Sequence, residues 1–173
     1  MGTKRVGMAR VKSLINENLN QLKIFKQEQI TLVHNVTTNH AITEAQSGAT
    51  IFWEHGSEHD ITLPDAKAGM HYKVILSAAS DHAQHIVSQT SDKFYGKVVV
   101  VRAAGGADDK NSTQTVAKAY GVDKIKLRDR GAALGGNIGD VIDIWCFEDG
   151  YWTVDARLSL VNGNPSSTAV LAN

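Results

Sequence analysis

In the stretch Asp140-Val-Ile-Asp-Ile-Trp-Cys-Phe-Glu-Asp-Gly-Tyr-Trp-Thr-Val-Asp-Ala-Arg157, polar and apolar residues alternate on both sides of Asp149-Gly150. A period of two marks a strand with one buried face. Asp-Gly between two such runs is a strong hairpin signal, because glycine supplies the positive φ that a short turn needs. The same period continues outward along the chain. Residues 30–33, 49–53, 60–63, 70–76, 85–89, 97–102, 114–119 and 124–128 each read as a strand. Pro64 closes one of them, as suits a strand edge. Gly56-Ser57, Pro64-Asp65, Gly105-Gly106 and Gly135-Gly136 supply turn signals between them. Many short strands with regular turns predict a mainly β body over 27–161, an antiparallel β-sandwich or jelly roll. A tail at 162–173 follows, whose Ser-Ser-Thr after Pro165 offers little core of its own.

The first 26 residues follow a different period. Met8, Val11, Ile15 and Leu22 fall at three-, four- and seven-residue steps, with Asn18 in the vacant slot. Leu14 and Leu19 widen the stripe, and Thr3 can cap its start. The spacing predicts an amphipathic α-helical arm over 1–26. It carries six basic residues (Lys4, Arg5, Arg10, Lys12, Lys23, Lys26) against one acid, Glu17, for a net +5. Residues 27–173 hold 12 basic and 17 acidic residues, a net −5. A chain of 173 residues with 18 basic and 18 acidic side chains thus divides into a basic arm and an acidic body. Three readings of the arm stand side by side: a helix lying on its own body, a docking arm for an acidic partner surface, and, ranked third, a short coiled coil whose register Asn18 fixes.

Composition excludes several classes. Apolar residues make up 42% and charged residues 21%, a globular balance. The zero net charge, and the absence of aromatic or arginine-rich interleaving in the arm, argue against nucleic acid. The longest strongly apolar run, 98–101, is far too short to span a membrane. No apolar segment follows Lys4 and Arg5, so no secretory signal is expected, and Val6 breaks the myristoylation pattern. The single cysteine, Cys146, allows no intrachain disulfide and reads as a small buried hydrophobe. Among seven histidines, His55 and His59 can meet across a turn, and His82 and His85 are three apart, but neither pair makes a metal set. The glycine-rich stretch 131–139 lacks the Gly-Lys-Ser/Thr of a phosphate loop and leads into a strand. No motif implies a catalytic residue or a cofactor. Trp53, Trp145 and Trp152 read as core residues, with a sugar-stacking platform as the alternative.

The opening Gly2-Thr-Lys-Arg-Val-Gly-Met-Ala-Arg-Val-Lys-Ser-Leu-Ile-Asn-Glu-Asn-Leu19 resembles that of virion structural proteins of marine tailed bacteriophages, notably those infecting cyanobacteria. Asp60-Ile-Thr-Leu-Pro-Asp-Ala-Lys-Ala-Gly-Met-His-Tyr-Lys-Val-Ile-Leu76 is similar to a pattern of phage head and fibre domains. Gly139-Asp-Val-Ile-Asp-Ile-Trp-Cys146, with Asp149-Gly-Tyr-Trp-Thr-Val154, resembles their closing hairpin. The resemblance implies a virion component on the capsid surface, of the decoration or cement type. Lys4, Arg5, Arg10 and Lys12 would then dock on acidic rims of the major capsid protein, with Met8, Val11 and Ile15 buried against it. The body would associate with its own copies, a trimer being favoured. A tail, baseplate or fibre component is the alternative within that class, and a module binding host-surface glycan the alternative outside it.

Overall fold

The computed structural model describes residues 15–16, 33–54, 58–78, 84–89, 91–102, 112–129, 132–133, 136–160 and 170–172. The chain forms two compact units, Met1–Thr31 and Leu32–Asn173. Of the first unit only Ile15 and Asn16 are described, both helical and exposed. The rest of the expected arm helix lies outside the described residues.

The second unit is mainly β, as its period of two predicts. Its strands are β1 (Val33–Val36), β2 (His40–Ala41), β3 (Thr50–Trp53), β4 (His59–Leu63), β5 (His71–Leu76), β6 (Gln84–Ser88), β7 (Lys93–Arg102), β8 (Ser112–Val116), β9 (Lys124–Asp129), β10 (Ala132–Ala133), β11 (Val141–Glu148), β12 (Tyr151–Leu160) and β13 (Leu171–Ala172). Single 3₁₀ turns occupy Glu44–Gln46 and Lys118–Tyr120. One sheet has the order β1-β3-β5-β11-β12-β7-β8, and the other β10-β9-β6-β4-β2, with β13 paired to β9.

The antiparallel expectation is corrected here, because both sheets are mixed. Strands β1, β3 and β5 pair in parallel, as do β2, β4 and β6, and β7 with β12. The first six strands go alternately to the two sheets, so the neighbour of each strand is the next but one in sequence. Two successive crossings restore the chain direction, which makes such neighbours parallel. A jelly roll, built of antiparallel neighbours, is not what this path gives.

The hairpin at Asp149-Gly150 does form, with β11 and β12 antiparallel and Glu148 opposite Tyr151. Of the two turn residues Gly150 takes a positive φ, 80°, and Asp149 does not, and a register shift falls between Trp145 and Glu148. The turn is tied to the segment between β4 and β5. The Gly150 amide donates to the Ala66 carbonyl (3.0 Å), and the Asp149 carboxylate accepts from the Ala68 amide (2.8 Å). The other end of the hairpin is held by Asp140, only 4% exposed. Its carboxylate accepts from the amides of Gly136 (2.9 Å), Asn137 (3.0 Å) and Ser159 (2.9 Å) and from the Ser159 hydroxyl (2.6 Å).

The inward positions of both sheets form one hydrophobic cluster. Trp53, Tyr72, Phe94 and Trp152 are fully buried, and the Tyr72 and Trp152 rings lie 5.8 Å apart. Each fully buried side chain of this size contributes on the order of 1.5–3 kcal/mol. Gly96 lets β7 run beside β12: at its φ of +133°, an added Cβ would sit 2.1 Å from the Val154 carbonyl oxygen. The tail also differs from expectation, since Val170 and Leu171 are buried in this cluster.

Two outcomes follow. Replacing Asp140 with Ala leaves buried amides without an acceptor. It should cost about 3 kcal/mol, lowering Tm by on the order of 10 °C, with Asp140→Asn milder; thermal unfolding followed by circular dichroism measures both. Burial pushes the Tyr72 phenol from 10.0 up to about 12. Its neutral form is the one the fold favours, so this contribution is complete below the unfolded value and is lost as pH rises from about 10 to about 12. Urea unfolding across that range should show the decline, and Tyr72→Phe should flatten it.

Candidate functional site

The site is read from the residues that point away from the core. Burial alternates along β3, β5 and β11, and every second residue of these strands faces outward. Strand register then assembles rows across the seven-stranded sheet. One row runs Phe52, Ile75, Val141, Arg157, Val99. The next runs Thr50, Lys73, Asp143, Asp155, Lys97, and a third runs His71, Trp145, Thr153, Tyr95. Neighbouring strands are about 4.8 Å apart, so side chains within a row touch or nearly touch.

A solvated sheet face would carry polar residues at these positions. This one carries Phe52, Ile75, Val141, Val99, Trp145 and Tyr95, all half-buried. Tyr151 packs edge-on against Tyr95 with centroids 6.3 Å apart, and the Lys118 ammonium lies 4.4 Å from the centre of the Tyr151 ring. Lys118 also pairs with Glu148. Phe147, at the end of the same face, is 69% exposed.

The centre of the face is a groove of about 360 Å³ lined by Lys73, Gly139, Val141, Asp143, Asp155 and Arg157. Asp143 and Asp155 stand directly opposite one another, an arrangement of like charges that destabilises a sheet by itself. Lys73 offsets it on one side, with its ammonium 3.3 Å from Asp143, and Lys97 stands opposite Asp155 on the other. The row therefore reads plus, minus, minus, plus, with the Arg157 guanidinium beside it. Such a groove, with Val141 as its one apolar lining side chain, can bind a polar or charged surface segment through ion pairs.

Among the described residues, Cys146 and Ser159 are not part of the groove lining. Cys146 is 1% exposed, its thiol lies 3.2 Å from the Glu148 carbonyl, and burial pushes its pKa up. The Ser159 hydroxyl donates to Asp140. On the other sheet, His85 Nδ1 lies 2.9 Å from Asp60 Oδ1 across β4 and β6. His55 and His82 fall outside the described residues. Among the described residues, no three His, Cys, Asp or Glu side chains converge as a metal would require.

Of the arm positions singled out by sequence, Lys4, Arg5, Met8, Arg10, Val11 and Lys12 also lie outside the described residues, and Ile15 is 52% exposed. Trp53 and Trp152 are core residues, so the three tryptophans do not form one platform; Trp145 is the one that faces outward. The outward row of Phe52, Ile75, Val141 and Val99 was not singled out by sequence reasoning. Its signal is the unbroken run Val98 to Val101, which lacks the polar alternation of a strand with one wet face. No family model, curated protein or solved structure matches this chain.

The two faces should separate by mutation. Trp152→Ala empties a core site and should cost about 3–5 kcal/mol, whereas Trp145→Ala should cost under about 1.5 kcal/mol. Urea midpoints measure both, and equal losses would place Trp145 in the core instead.

Proposed function

We propose that this chain is a virion structural protein of a tailed bacteriophage, a decoration or cement protein that binds the capsid lattice and stabilises the head. The observation that supports binding is the outward sheet face, where half-buried apolar and aromatic side chains surround a charged groove. Aromatic residues and arginine are the types that anchor protein–protein contacts. The phage assignment is supported by the resemblance of residues 2–19, 60–76 and 139–154. Under this reading the two sheets act as a sandwich body. The basic arm docks on acidic rims of the major capsid protein through Lys4, Arg5, Arg10 and Lys12, while Met8, Val11 and Ile15 bury against that protein. Several shallow contacts per chain, multiplied by association of copies into a trimer, give tight attachment without a deep pocket.

A second reading is favoured by one specific observation. Trp145, Tyr95 and Tyr151 lie on the same outward face, and such rings stack on sugars. Host-surface glycan is then the ligand.

Co-sedimentation with undecorated capsids decides between them. The full chain should pellet with capsids, a chain lacking residues 1–24 should stay folded but remain in the supernatant, and added salt should weaken binding through the charged arm. Failure of the full chain to pellet contradicts the capsid reading. Retention on a glycan column that Trp145→Ala abolishes would favour the second.

A further inference from the structure

The last described residues, Val170-Leu171-Ala172, occupy a built acceptor groove. Val170 and Leu171 are 0% and 2% exposed. Strand β13 runs antiparallel to β9, with Leu171 opposite Ile125 and Ala172 opposite Lys124. The Val170 carbonyl accepts from the Lys126 amide (2.6 Å), and the Ala172 carbonyl accepts from the Asp123 amide (3.2 Å). Leu171 points its backbone the other way, where the Gln114 side chain takes both groups. The Leu171 amide donates to Gln114 Oε1 (2.8 Å), and Gln114 Nε2 donates to the Leu171 carbonyl (2.8 Å). A single amide side chain thus stands in for a missing strand.

Gln114 belongs to β8 of one sheet and β9 to the other, so the tripeptide closes the gap between the two sheets at this edge. Recognition rests on backbone bonds and on two buried apolar side chains. None of it depends on the residues that join β12 to β13, whose sequence Val161-Asn-Gly-Asn-Pro-Ser-Ser-Thr-Ala169 is rich in turn and linker residues. The same strand from a second copy would make identical contacts, which is the condition for exchange of a terminal element between protomers.

We propose that the groove between Gln114 and β9 receives the Val170-Leu171-Ala172 strand of a second copy, linking chains head to tail. Exchange of this kind closes into rings, a threefold ring included, without a large flat interface. The inference does not rest on the capsid reading, and its test uses only the purified chain.

The test mixes two full-length variants, Lys124→Cys and Ala172→Cys, with different tags. They are unfolded together, refolded and mildly oxidised. Exchange places the two new thiols opposite each other in different chains, while Cys146 stays buried. The expected result is a disulfide-linked heterodimer whose yield rises with protein concentration and falls several-fold when Gln114→Ala is added. The contradicting result is a mixture that stays unlinked while a chain carrying both cysteines closes its bond internally. Should a cysteine variant fail to fold, native mass decides. An oligomer that Leu171→Asp reduces to a monomer supports exchange, and an unaltered chain that is already monomeric, or an oligomer unchanged by Leu171→Asp, overturns it.

Discussion

The pairing of β11 with β12 joins the two halves of the larger sheet. On its free edge β11 takes β5, and through it β3 and β1; on the opposite edge β12 takes β7 and β8. The hairpin is therefore the one local element on which a set of long-range pairings is assembled. Its ends are fixed by carboxylates that accept backbone amides, Asp149 at the turn and Asp140 at the open end. Charge-assisted bonds to otherwise orphaned amides are among the stronger polar contacts available to a fold. Asp140 also spans the hairpin, since its partners come from the entry to β11 and from β12. Slipping β12 by one residue against β11 would turn Trp152, Val154 and Ala156 outward while Ile142 and Ile144 stayed inward, so hydrophobic burial and the carboxylate anchors specify the same pairing.

How much of this is legible in the sequence follows from what a period of two can encode. Alternation identifies strands, and it finds β3, β4, β5, β6, β9 and β11 to within a residue of their bounds, and β12 from its first residue but three short of its last. It also identifies the hairpin, because Asp-Gly leaves only two residues between the runs. It cannot say which sheet the next strand joins. A link of several residues between strands fits either a hairpin within one sheet or a crossing to the opposite sheet. The crossings between β1 and β6 therefore read as ordinary turns, although they make the sheets mixed. Strands of two residues, such as β2, β10 and β13, are too short to show any period. Residues 114–119 read as one strand, yet β8 ends at Val116 and a 3₁₀ turn follows.

The site divides along the same line. Alternation gives each strand two faces without saying what covers them, so Trp53, Trp145 and Trp152 look alike in sequence. In the fold two are core and one faces outward. The charge contrast between residues 1–26 and the remainder is plain from composition and draws attention to the arm. The outward face of the larger sheet is built by register between five strands, and only the run Val98 to Val101 hints at it. Its pattern of an apolar row, a charged row and an aromatic row belongs to the assembled sheet rather than to any one segment.

The claim on which the site depends is that alternate strands of the N-terminal half lie side by side in parallel. Cross-strand proton contacts in the isotope-labelled protein, measured by nuclear Overhauser spectroscopy, test it directly. The account predicts backbone contacts between β3 and β5 in parallel register, with Ile51 beside Val74 and Phe52 beside Ile75. It predicts the same between β4 and β6, with Ile61 beside Ile86. Antiparallel contacts between β3 and β4, as in a simple hairpin, would contradict the winding and with it the outward face it creates.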